Sequence, residues 1–196
     1  MPTATTRRRR FAVAAAVALI VAALAGALPA RAQMALPLEA PSATALLNGD
    51  FDGLRRMLFN GTDPNTQDTQ RQPLIVLAAR NGLERGLEVL LEGRARVDET
   101  DAFGNTALMW AADRGHDAMV RTLLKAGARP NLQNKQGTTA LIRASREGQY
   151  RAVEALLEAG ADPDITDYTG RGPLSWARDG RSRATVRALE AAGARD

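Results

Sequence analysis

The sequence predicts an all-α solenoid in which short helix-turn-helix units, each led by a β-turn or hairpin finger, stack in a single array. Three observations carry that expectation. From about residue 35 onward the chain matches itself at a shift of 33, glycines recur at fixed places in that period, and leucines and valines fall at i, i+3 and i+4 within each unit. The first two mark a stacked repeat, and the third marks one buried helix face.

The repeating columns are explicit. Asp68, Asp101, Asn134 and Asp167 open successive units, followed by Gly104, Gly137 and Gly170, then Ala78, Ala111, Ala144 and Ala177, then Gly82, Gly115 and Gly148. Further along come Leu87, Val120, Val153 and Val186, and then Leu90, Leu123, Leu156 and Leu189.

The unit opening at Asp101 shows how residues dictate elements. Asp101-Ala102-Phe103-Gly104-Asn105 is turn chemistry. Thr106 offers a hydroxyl to cap a first helix, whose Ala107, Leu108, Ala111 and Ala112 allow close approach of a neighbour. Gly115 breaks that helix. Val120, Leu123 and Leu124 then line one face of a second helix, and Gly127 stands just beyond its end, where a left-handed residue is favoured. Helix pairs this short cannot bury an apolar face alone, so the units must stack.

Departures from the pattern mark the ends and one inner unit. Residues 68–100 carry Arg71 in the finger-glycine column, Pro73 in the threonine column and Arg94 in the terminal-glycine column, which predicts an irregular finger. Ahead of them, Ala45, Gly49, Leu54, Leu58, Gly61 and Asp63-Pro64-Asn65 keep the pattern, while Pro37 and Pro41 replace a finger, as in an N-terminal cap. In the last unit Gly172 takes the capping column, the inter-helix glycine shifts to Gly180, and Arg178 and Glu190 replace small and apolar residues. Polar residues at stacking positions predict a C-terminal cap.

These units resemble ankyrin repeats. Asp101 to Asn131 follows the family pattern closely, including Gly115-His116, Leu123-Leu124 and Gly127-Ala128, and Asn134 to Asp164 nearly as well. The resemblance extends over 35–196. It implies about five stacked units without catalytic activity, binding a protein partner through the fingers and first helices. The expected organisation is a signal peptide at 1–32, a linker and capping repeat at 33–67, repeats at 68–100, 101–133 and 134–166, and a capping repeat at 167–196.

The leader has the three parts of a bacterial secretory signal. Arg7 to Arg10 are followed by an apolar stretch from Phe11 to Leu28, and Ala30-Arg31-Ala32 places small residues for cleavage between Ala32 and Gln33. Cleavage leaves 164 residues and a periplasmic protein. The competing reading is an inner-membrane anchor, because the apolar run counts 18 residues, the lower limit of a spanning helix. Arg8-Arg9-Arg10-Phe11 also fits a loose twin-arginine export pattern beside the ordinary route for unfolded chains.

Composition excludes several classes. Without cysteine there is no disulfide framework, thiol nucleophile or cysteine-bearing metal centre. A single histidine, His116, leaves little from which to build a transition-metal site. Residues 1–32 hold five arginines and no acid, so the other 21 basic groups face 22 acids. The basic pI near 10.3 therefore belongs to the leader and argues for no nucleic-acid partner. Membrane association follows only if the leader is retained, and a monomer is expected.

No residue is assigned a catalytic, cofactor-binding or metal-ligating role. His116 reads as a structural residue at the start of a second helix. Acids such as Asp98, Glu99, Asp101, Asp162 and Asp164 read as loop caps, too sparse for a calcium loop. Trp110 and Trp176 share a column with Leu77 and Arg143 and read as core or half-core. Phe103 and Tyr168 stand at finger tips with no core reason to be aromatic, and exposed aromatics and arginines are common interface anchors.

Arginine outnumbers lysine 24 to 2, a compositional skew that discounts any one arginine as a binding residue. Even so, Arg80, Arg114 and Arg146 are read as ending the first helix in three consecutive units, and with Arg143 and Arg171 they would make a mildly basic concave face. The candidate partner-binding set is Phe103, Asn105, Arg114, Lys135, Arg143, Arg146, Tyr168 and Arg171.

Overall fold

The computed structural model describes residues 40–195. The leader, the Ala32–Gln33 cleavage bond and the segment carrying Pro37 and Leu38 lie outside them. Five helix pairs follow in chain order: α1 Pro41–Leu47 with α2 Phe51–Phe59, α3 Leu74–Asn81 with α4 Glu84–Glu92, α5 Ala107–Arg114 with α6 Asp117–Lys125, α7 Ala140–Arg146 with α8 Tyr150–Glu158, and α9 Pro173–Asp179 with α10 Arg183–Ala191. The first helices α1, α3, α5, α7 and α9 pack on one another in sequence order, and the second helices do the same in a parallel layer. Among the described residues there is no strand; only isolated bridges, Gln67 with Pro73 and Thr100 with Thr106, tie the base of a finger.

The core sits between the two layers. Ala78, Ala111, Ala144 and Ala177 are fully buried in the first layer, and Leu90, Leu123, Leu156 and Leu189 in the second. Alanine brings first helices close, while each buried leucine contributes roughly 1.5–3 kcal/mol of transfer free energy. Thr106 and Thr139 cap α5 and α7, accepting from the backbone N–H of Met109 at 3.3 Å and Ile142 at 3.2 Å. Pro73 and Gly172 stand in that column without a side-chain cap.

A second periodicity holds adjacent units together. Asn65, Asp98, Asn131 and Asp164 each accept from the backbone N–H of a residue 31 positions on, namely Arg96, Arg129, Asp162 and Arg195, at 2.8 to 3.1 Å. The loop acids read as local caps thus also act between units.

Two sequence expectations are corrected. The 68–100 finger is regular: Asp68 N–H donates to the Gln72 carbonyl and Arg71 N–H to the Asp68 carbonyl, as Asp101 and Gly104 do in the next unit. Arg71 takes the left-handed conformation of the glycine it replaces (φ 59°), and Arg94 does likewise at the end of α4 (φ 64°). The second correction concerns the last unit, where the left-handed turn stays in its column at Arg181 (φ 57°) and does not move to Gly180. Gly180 is right-handed, and a Cβ there would meet the Arg146 carbonyl oxygen at 2.7 Å, so close approach accounts for it.

Candidate partner-binding surface

The fingers and the first-helix layer share one face, and its organisation starts from two aspartates. Asp101 Oδ1 accepts the backbone N–H groups of Phe103 and Asn105 at 2.9 and 2.8 Å, while Oδ2 accepts from Asn105 Nδ2 and from the Trp110 indole, both at 2.9 Å. Asp167 repeats the device: it accepts from Thr169 and Arg171 backbone N–H groups, and from the Trp176 indole at 2.9 Å. Burial pushes both carboxyls up. The hydrogen bonds outweigh it: those from the Asn105 side chain and backbone, Trp110 and Phe103 hold Asp101 below the usual carboxylate range. Thr169, Trp176 and the Arg171 backbone do so for Asp167.

The intervening unit is built differently. Asn134 replaces aspartate, and Arg143 stands where the neighbouring units have tryptophan. Asn134 Nδ2 and Arg143 Nη1 both donate to Asn105 Oδ1 at 2.7 Å, and Arg143 Nε donates to Asp113 at 2.9 Å. Asp113 also pairs with Arg146 at 3.2 Å.

Tryptophan and arginine therefore alternate along the face, and they stack. The guanidinium carbons of Arg80 and Arg143 lie 5.1 and 4.6 Å from the Trp110 ring centre. Those of Arg171 and Arg146 lie 3.7 and 5.9 Å from that of Trp176. Each contact is within cation–π range. Trp110 and Trp176 are half-buried, neither in the closed core nor free.

The candidate residues fall into exposed and enclosed groups. Phe103 and Tyr168 are 65% and 75% exposed. Lys135 is exposed, with its ammonium donating to the Ala102 carbonyl at 2.8 Å and its backbone N–H to Phe103. Arg114 is exposed and forms no ion pair among the described residues. Asn105 does not belong to the surface: at 4% exposure it joins two fingers internally. The Arg143 side chain is only 11% exposed, because Asp113, Asn105 and Trp110 surround it. Arg171 is drawn onto Trp176 and pairs with Asp179.

The arginine register is corrected as well. Asp113, not Arg114, shares the column of Arg80 and Arg146, and it links Arg143 to Arg146. What the sequence reading missed was the coupling of each Asp to a Trp nine positions later; the spacing occurs twice, at 101/110 and 167/176. His116 precedes α6, and its ring packs where a Cβ on Gly82 would come within 3.0 Å of it.

Stacked helix pairs carrying a preorganised polar and aromatic face define a class, the repeat scaffolds that bind other macromolecules. A family model of ankyrin repeats in three copies matches residues 43–134, 75–167 and 126–195, so the chain belongs to the ankyrin-repeat family and is a protein–protein interaction module. That family is typically a non-enzymatic scaffold. Potassium channel KOR1 of Oryza sativa subsp. japonica is similar at 38% identity over 65 residues, 33% of this chain and 8% of the channel. Serine/threonine-protein kinase 12 of Arabidopsis thaliana is similar at 34% over 58 residues, 30% of this chain and 13% of the kinase. Potassium channel SKOR of the same plant matches at 38% over 65 residues, 33% of this chain and 8% of the channel. This chain thus spans a small part of the length of these curated relatives.

Proposed function

We propose that this chain is an exported bacterial ankyrin-repeat protein that binds, and by binding stabilises, a periplasmic or envelope protein through its finger tips and first-helix face, with no chemistry of its own. The observation that carries the binding face is the alternation of Trp110, Arg143 and Trp176, locked by Asp101, Asp113 and Asp167. A surface already ordered before contact lowers the entropy lost on association. Export rests on the arginine run, apolar stretch and Ala30-Arg31-Ala32 of the leader.

Intact mass of protein from a periplasmic extract tests export. The expected species begins at Gln33. A major form retaining 1–32 in the membrane fraction would instead favour the inner-membrane-anchored reading, which the 18-residue apolar run supports. Delivery into a host cell is the remaining alternative for a leader-bearing protein of this family, and its mark would be the protein appearing outside the bacterium under inducing conditions.

A further inference from the structure

We propose that the first-helix face receives an extended acidic segment of the partner, in polyproline II conformation, with carboxylates at every third residue. The inference rests on the protein-binding reading above and deepens it.

The first argument is the balance of donors and acceptors. The acids on this face are occupied: Asp101 and Asp167 accept backbone and indole N–H groups, and Asp113 accepts from Arg143 and Arg146. The arginines keep donors to spare. A guanidinium has five N–H donors; Arg80 uses one in a long 3.4 Å bond to Gln72 and has no ion pair among the described residues, and Arg146, whose side chain is 39% exposed, uses two, to Glu147 and Asp113. Cation–π contact with the indoles holds each guanidinium beside a ring, and its unbonded N–H groups remain able to meet a carboxylate.

Spacing selects the form of the occupant. Packed helices stand about 8–10 Å apart, and polyproline II advances about 9.3 Å in its three-residue turn. One turn of the ligand therefore matches one unit of the stack. Arg80, Trp110, Arg146 and Trp176 lie in four consecutive units, which sets a segment of roughly nine residues. Neutral residues between the carboxylates would pass Asp113 and Glu147 without repulsion. A nucleic-acid strand has no such gaps, since it carries a charge at about every 3.4 Å.

The test uses the purified protein and labelled nine-residue peptides read by fluorescence anisotropy. One peptide has Glu at positions 1, 4 and 7 with Pro and Ala between; another has the same composition with Glu clustered; a third has Lys for Glu; a single-stranded oligonucleotide of equal length is the fourth probe. The spaced acidic peptide should bind most tightly and lose affinity with salt. Arg80→Gln and Arg146→Gln should each weaken it by about two- to fivefold, the worth of one accessible ion pair, with circular dichroism unchanged. Equal or tighter binding of the lysine peptide, the clustered peptide or the oligonucleotide would overturn the inference, as would wild-type affinity in both variants. Peptide binding by a protein that is not exported removes only the periplasmic reading. Full-strength binding of a natural partner by both variants removes only this one.

Discussion

At the residue scale, arginine tests the limits of glycine columns. Arg71, Arg94 and Arg181 are the non-glycine residues with positive φ among those described, and each occupies a column where other units have glycine. A side chain in that region costs about 1–2 kcal/mol, partly offset by the freedom glycine loses on folding. Arg94→Gly at the exposed end of α4 should therefore raise stability by roughly 0.5–1 kcal/mol in a urea titration. Ser145 offers the opposite case: it is fully buried in the column of Ala79 and Ala112, and its hydroxyl has no hydrogen-bond partner among the described residues. Replacing it by Ala should stabilise by about 1 kcal/mol, measured in the same titration. A loss of stability in Ser145→Ala would mean that the hydroxyl is paired after all.

At the element scale, second helices hold the stack by their leucines and fingers hold it by their aspartates. Leu123→Ala and Leu156→Ala should each cost about 2–5 kcal/mol by denaturant titration, since both side chains are fully buried. Changes confined to tenths of a kcal/mol would contradict the observed packing. The finger devices make stability depend on acid. Asp101 and Asp167 have folded pKa values below their unfolded ones, so their contribution is present above about pH 4 and is lost as pH falls through the lowered folded values. Thermal midpoints should drop below about pH 4 in the wild type, and tryptophan fluorescence should report loosening of the indoles. Asp101→Asn together with Asp167→Asn should flatten that dependence and lower the midpoint at neutral pH.

On the scale of the whole molecule, the last unit exposes charged side chains at two positions that are small or apolar in the inner units. Arg178 and Glu190, which predicted a C-terminal cap, pair with each other at 3.4 Å on α9 and α10. Binding, by contrast, should concentrate at a few side chains. Phe103→Ala, Tyr168→Ala and Arg146→Ala should weaken partner capture by roughly 1 kcal/mol or more each while leaving circular dichroism intact. Arg121→Ala and Arg151→Ala, on the second helices, should not. The reverse pattern, measured by titration against the captured partner, would place the interface on the second-helix layer.

The period of 33, the buried leucine and alanine columns and the threonine caps were legible in the sequence by itself, because each depends on local spacing and on which side chains suit a helix face. So were the exposed tips Phe103 and Tyr168, which occupy turn positions outside any apolar period. Tertiary structure decided the rest. That Asn105 is buried, that Arg143 is enclosed, and that Asp113 joins two arginines all depend on partners from 29 to 38 residues away, on neighbouring units. The left-handed arginines likewise follow from the stack: neighbouring units fix the backbone path, and the packing energy of a whole unit exceeds the strain at one residue. A repeat declares its fold through similarity between units, whereas its surface is made where units differ, and those differences acquire meaning only when the chain brings them side by side.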